Sequence, residues 1–92
     1  MSAKEKGNKR EHRSMKIFEK AGYRCTRAAG SLGTWDFIGV SSNDIVLCQV
    51  KSRDWPGTIE MAELREFPAP SNTRKIVHRW RDYAKEPDVK EI

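Results

Sequence analysis

The sequence predicts a mixed α/β domain, with a central mixed sheet flanked by helices in the order α-β-β-β-α-β and a short closing strand. Three observations carry that prediction. An apolar stripe at helical spacing lies near the start, two dense apolar runs flank a polar turn, and a second helical segment separates them from a further strand. The two runs are apolar on both faces (Phe37, Ile38, Val40; Ile45, Val46, Leu47, Val50), as in central strands covered on both sides.

Residues 1–7 are polar and read as a flexible N-terminus, leaving 8–92 as a single domain. A helix is expected from Asn8, its N-cap, to about Ala21, closed by Gly22. Met15, Phe18 and Ala21, with Ile17 beside them, form its narrow apolar stripe. Glu11 lies four residues before Met15, on the same side, where the buried face meets the helix start. Lys9, Arg10, Arg13, Lys16 and Lys20 spread over the remainder, as a phosphate-contacting face or a solvated one. Tyr23–Arg27 alternates as a first strand, and 28–34 is a small-residue loop whose glycines allow a backbone or a phosphate to approach closely.

The centre of the chain is a hairpin over Trp35–Arg53. Ser41-Ser42-Asn43-Asp44 has turn composition, so Val40 should pair with Ile45 and paired numbers should sum to 85. Asp36 then faces Gln49, and side-chain period 2 puts Lys51 on the same face. A carboxylate, a carboxamide and an ammonium thus gather at one end of an otherwise apolar hairpin. Asp36 also reads as one half of a buried ion pair with Lys51, without chemistry.

Thr58–Phe67 forms the second helix, with Thr58 capping, and Pro68, Pro70 and Ser71-Asn72 end it. Lys75–Trp80 is a strand that can extend towards Tyr83. Glu86-Pro87-Asp88 makes a turn before a closing strand over Val89–Ile92.

Ninety-two residues allow one core, and a chain of this size buries only about 60–65% of its unfolded surface, so a homodimer is a natural source of further burial. The net charge of +5 and a pI near 9.5 favour a polyanionic partner. There is no apolar run of membrane length and residues 1–14 are charged, so a membrane role is excluded and a cytoplasmic setting expected. Cys25 and Cys48 fall in strands with no CxxC and no histidine close by, and read as reduced core residues. His12 and His78 read as surface or strand polars rather than ligands. Trp35, Trp55 and Trp80 read as core or dimer contacts rather than base-stacking platforms.

Residues 6–53 resemble the PD-(D/E)xK nuclease superfamily, most closely small archaeal-type Holliday junction resolvases and phage-type VRR-NUC nucleases. Lys6-Gly7-Asn8-Lys9-Arg10-Glu11 is similar to a K-G-x-x-x-E start, and Thr26-Arg27-Ala28-Ala29-Gly30-Ser31 to an Arg-Ser-x-x-Ser/Gly loop. Asp36 followed by Gln49-Val50-Lys51 stands where the family places its aspartate and ExK triplet. Two residues depart: Trp35 replaces the proline before the aspartate, and Gln49 replaces the triplet's acid. The resemblance implies a restriction-endonuclease-like core. It implies Asp36, Gln49 and the Val50 carbonyl as ligands of Mg²⁺, with Mn²⁺ as substitute and Glu11 as a supporting acid. Lys51 would orient the attacking water. Lys9, Arg10, Arg13, Arg27, Ser31 and Arg53 are the candidate DNA contacts, and a homodimer would place two symmetric cuts.

Phosphodiester hydrolysis needs charge neutralised at the phosphate and a hydroxide made near neutral pH, which a divalent cation on oxygen ligands supplies. A nearby lysine adds positive charge at the phosphate. The leading expectation is therefore a Mg²⁺-dependent DNA endonuclease selective for branched DNA. The alternative is a nuclease-fold binding module whose Gln49 marks lost catalysis. A third reading, an RNA-binding or protein-interaction domain, draws on charge alone.

Overall fold

Seven elements follow the expected order in the computed structural model, which describes residues 3–28 and 33–92. Helix α1 spans Ala3–Lys20, β1 Arg24–Arg27, β2 Phe37–Val40, β3 Ile45–Ser52, α2 Thr58–Glu66, β4 Thr73–Trp80 and β5 Asp88–Glu91. The strands form one sheet in the order β1-β2-β3-β4-β5. Every pairing is antiparallel except β3 with β4, which is parallel and requires the crossover that α2 provides.

Helix α1 begins at Ala3 instead of Asn8, inside the stretch expected to be loose. Ala, Lys and Glu are strong helix formers, and together they outweigh the capping preference of asparagine. Asn8 serves another purpose, accepting a hydrogen bond from Arg27 Nη2 at 3.0 Å. Glu11 consequently lies mid-helix rather than at the helix start. The C-terminal end is as expected: Gly22 takes a left-handed φ of 101°, and Tyr23 N–H donates to the Phe18 carbonyl at 3.0 Å.

The hairpin register runs from Phe37 with Cys48 to Val40 with Ile45, each pair summing to 85. Ser41 builds its turn, its Oγ accepting from the Asn43 and Asp44 N–H groups at 3.1 and 3.0 Å. Residue alternation then divides the core. On one face Phe18 of α1 packs with Tyr23, Phe37, Val46, Cys48 and Ile76; on the other Met61 and Leu64 of α2 pack with Trp35, Leu47 and Val77. Both cysteines are free, Cys48 within the first of these clusters. Gly39 is fixed by this packing, because a Cβ there would lie 2.7 Å from Val46 Cγ1 and 3.1 Å from Cys25 Sγ.

Two boundaries differ from expectation at the second helix and its neighbours. Gly57, in extended conformation, is the N-cap of α2 and Thr58 its first residue, with no side-chain cap bond. Strand β4 starts earlier, at Thr73, because the parallel register with β3 pairs Thr73 with Ile45. Trp35 and Trp80 are core residues, 2% and 1% exposed.

Candidate functional site

The end of the sheet where β2 begins and β3 and β4 finish gathers most of the expected residues. The hairpin ladder departs from its symmetric register there. Asp36 N–H donates to the Cys48 carbonyl at 2.9 Å, where strict continuation would pair Asp36 with Gln49. The Asp36 carboxylate instead caps the unpaired strand, Oδ2 accepting from Val50 N–H at 2.7 Å. Within a strand the N–H and C=O of one residue point to the same side, so the Val50 carbonyl also projects towards Asp36.

Asp36 is the perturbed acid of the cluster. Its pKa is raised from 3.8 to about 6, chiefly by desolvation and further by the negative charge of Glu11. The Val50 N–H bond, Lys51 and Arg27 act in the opposite direction. Glu11 and Asp36 are thus near enough to repel. A cation between two such acids relieves that repulsion. Glu11 meets Arg27 at 3.3 Å, which holds it against the end of β1.

Gln49 is 6% exposed, and both ends of its carboxamide are constrained. Nε2 donates to the Thr34 carbonyl at 3.1 Å, which directs Oε1 the other way. Oε1 is buried and has no hydrogen-bond partner among the described residues. A buried amide oxygen left without a donor costs about 1–3 kcal/mol, so a ligand that meets it recovers that amount. Lys51 shares the α2 face of β3 with Leu47, and its ammonium pairs with Glu60 of α2 at 3.2 Å, both side chains about one-third exposed. Glu60 was not foreseen. Helix α2 starts six residues after β3 ends, at Thr58 after Ser52, so its first turn necessarily lies over the strand's C-terminal end.

These donors fit a hard divalent cation: one carboxylate under electrostatic stress, a fixed carboxamide oxygen and a strand-end carbonyl, with Glu11 close by. The set carries less charge than two ligating carboxylates. Among the described residues no three His, Cys, Asp or Glu side chains converge.

The candidate DNA contacts divide into two groups. Lys9, Arg27 and Arg53 are exposed at this end. Arg10 is buried, 6% exposed, and pairs with Asp82 at 2.9 Å, so it is not presented to a ligand. Arg13 stacks on Trp80, 4.2 Å from guanidinium carbon to ring centroid, and donates to the Ala84 and Lys85 carbonyls. Arg10 and Arg13 therefore fasten the β4–β5 loop, residues 81–87, to α1. Ser31 lies outside the described residues. Among the described residues no helix is long and apolar enough to cross a membrane.

A second polar group lies beneath α1 and was not anticipated. Ser14 Oγ accepts from Trp80 Nε1 at 2.8 Å and lies 2.8 Å from His78 Nδ1, with all three side chains buried. Since Oγ accepts from the indole, its own proton is available to His78 Nδ1. Burial lowers the His78 pKa from 6.5 to about 4 and keeps the ring neutral.

No protein-family model matches the sequence, and no curated protein matches it. Comparison with solved structures does identify the fold, which is of the restriction-endonuclease-like kind. The chain is similar in structure to Hjc from Archaeoglobus fulgidus, a Holliday junction resolvase from an archaeal hyperthermophile, with a TM-score of 0.70 and 20% sequence identity. The superposition covers 95% of this chain and 71% of that one.

Proposed function

We propose that this protein is a Mg²⁺-dependent DNA endonuclease of the Holliday junction resolvase type, acting on branched DNA as a homodimer. The observation that carries the proposal is the presence at one sheet end of Asp36, pushed to a pKa of about 6, and of a buried Gln49 oxygen with no partner among the described residues. Asp36, Gln49 Oε1 and the Val50 carbonyl would hold the ion, with Glu11 supporting. When bound, Mg²⁺ supplies neutralising charge at the phosphate and acidifies water. Lys51, held by Glu60, adds positive charge for the phosphate and a donor to orient the nucleophile. Arg27, whose charge acts on Asp36, and the exposed Lys9 of α1 suit contacts to flanking phosphates.

The likeness to an archaeal Holliday junction resolvase supports the choice of branched DNA, and the basic net charge supports a nucleic-acid partner. The test is cleavage of labelled four-way junction, flap, duplex and single strand in Mg²⁺, Mn²⁺ or EDTA, with Asp36→Ala alongside. Metal-dependent cutting that vanishes in Asp36→Ala is expected; equal cutting by both proteins would remove the site assignment. Sedimentation should give a dimer at micromolar concentration, and a monomer with and without DNA would exclude symmetric double cutting.

The neutral Gln49 favours a second reading, a binding module of this fold that no longer cuts. It expects salt-sensitive DNA binding without cleavage in any metal. Cleavage that appears only in Gln49→Glu would support it, and a wild type that already cuts excludes it.

A further inference from the structure

Two non-glycine residues have left-handed backbone among the described residues, Arg53 at φ 81° and Tyr83 at φ 64°. Both lie just past the ends of neighbouring strands at the sheet end that carries Asp36. Strands β3 and β4 are parallel with Ser52 opposite Trp80, and Arg53 N–H donates to the Trp80 carbonyl at 3.1 Å. A bulky side chain in this conformation is uncommon, and strain of this kind concentrates at ligand-binding sites.

Tyr83 is also unusual in its exposure, at 104% of its reference area, so the ring packs against nothing among the described residues. The loop that carries it is nevertheless fastened. Arg10 holds Asp82, Arg13 holds the carbonyls of Ala84 and Lys85, and Ala84 N–H closes a turn onto the Arg81 carbonyl at 3.1 Å. An aromatic ring is thus held out from a firm base beside the candidate site. On the inner side of the same loop, Arg13, Lys16, Lys20 and Lys85 outnumber the one acid, Glu86, in lining a cleft of about 490 Å³ between α1 and β5. That cationic wall suits a phosphodiester strand leading to the ring.

We propose that Tyr83 is a base-stacking residue, which takes the exposed face of an unpaired or unstacked base in DNA held at the Asp36 end. The ligand class is DNA with a strand branch or single-stranded segment, because every base inside continuous duplex already has both faces covered. Arg53, exposed beside the same strand ends, supplies a phosphate contact. This deepens the nuclease reading and rests on it for the presence of DNA, although it needs no cleavage.

The experiment is equilibrium binding in EDTA to a four-way junction, a gapped duplex and a continuous duplex, each carrying 2-aminopurine at the branch or the equivalent position. Wild type should bind the branched and gapped DNAs and quench the probe. Tyr83→Ala should weaken binding to those two by about tenfold and lose the quenching, with duplex affinity unchanged. Tyr83→Trp should restore both. Tyr83→Gly, whose backbone suits φ 64°, should melt no lower than wild type while binding like Tyr83→Ala, which separates stacking from folding. Equal affinities for wild type and Tyr83→Ala would overturn the stacking role and leave the nuclease reading intact. So would an equal loss on duplex, or a Tyr83→Ala protein that fails only to dimerise. A wild type that binds none of the three DNAs would overturn both.

Discussion

Two polar groups lie within reach of α1, and they are built on opposite terms. In the Ser14–His78–Trp80 group, the hydroxyl accepts from the indole and serves the imidazole, each at 2.8 Å, and no polar atom of the three is left buried without a partner. At the sheet end, Gln49 Oε1 lacks a partner among the described residues and Asp36 holds a raised pKa beside a second acid. A buried polar group with its hydrogen bonds complete stabilises and specifies the fold. An incomplete one costs free energy in the isolated chain, and a bound ligand can recover it. Neither polarity nor a displaced pKa therefore marks a site, since His78 has both; the sheet end is set apart by an acceptor with no donor among the described residues next to two mutually repelling acids.

The largest effect should come from breaking the unfinished group. Asp36→Asn should reduce cleavage by about 10³-fold, as expected for loss of a charged group stabilising the transition state. The same substitution should stabilise the fold at pH 8 by roughly 1 kcal/mol, a figure reduced from the full pKa shift because water reaches part of the carboxyl. Calorimetry in EDTA reads the second effect, and a lower melting temperature in Asp36→Asn would contradict it.

Breaking the finished group should do the reverse. Ser14→Ala leaves the Trp80 indole N–H and His78 Nδ1 buried without their shared partner, at a cost of about 2–4 kcal/mol in stability. Specific activity of the folded protein should stay within about twofold, since the hydrogen bonds of these three side chains run among themselves and not to Asp36, Gln49 or Lys51. A Ser14→Ala protein as stable as wild type would show that the network is not closed as described.

Gln49→Glu probes the boundary between the two terms. A carboxylate oxygen would replace the Nε2 that donates to the Thr34 carbonyl, setting oxygen against oxygen in a buried position beside Asp36. Stability in EDTA above pH 7 should fall by about 1–3 kcal/mol. The thermal shift on adding Mg²⁺ should grow, because ion binding then offsets a larger penalty. A smaller Mg²⁺ shift than wild type would mean that position 49 does not face the ion.

The smallest effect lies in the pH profile, where the two groups have opposite signs. Asp36 has a folded pKa near 6 against an ordinary 3.8, so its contribution to stability falls as pH rises through that window. His78 has a folded pKa near 4 against 6.5, so its contribution is present above 6.5 and lost as pH falls towards 4. The two slopes partly cancel in wild type. Asp36→Asn removes one, and its stability should climb more steeply between pH 4 and 6.5 than that of wild type, as denaturant titration at stepped pH would read.

Much of the sheet end was legible because hairpin register is local. Turn composition at 41–44 matched the pairing from Val40 with Ile45 to Phe37 with Cys48, side-chain period put Lys51 on the Leu47 face, and Gly22 marked the end of α1. What sequence reading missed depends on contacts between distant segments. Ser14 meets His78 and Trp80 across 64 and 66 residues, with no periodic signal to link them. Arg10 and Arg13 looked like a free basic face because the loop that engages them lies more than 70 residues away. Glu60 faces Lys51 only through the crossover of α2, and the last step of the ladder at Asp36 departs from strict alternation because its carboxylate takes the Val50 N–H.

The most direct test of the metal-accepting sheet end is paramagnetic broadening of backbone amide NMR signals by substoichiometric Mn²⁺. Broadening should concentrate at Asp36, Gln49, Val50 and Lys51, extend to Glu11 and to His78 beside Val50, and disappear in Asp36→Asn, while the turn at 41–44, at the other end of the hairpin, is affected last. Uniformly weak broadening, a focus elsewhere on the surface, or an unchanged pattern in Asp36→Asn would contradict the account.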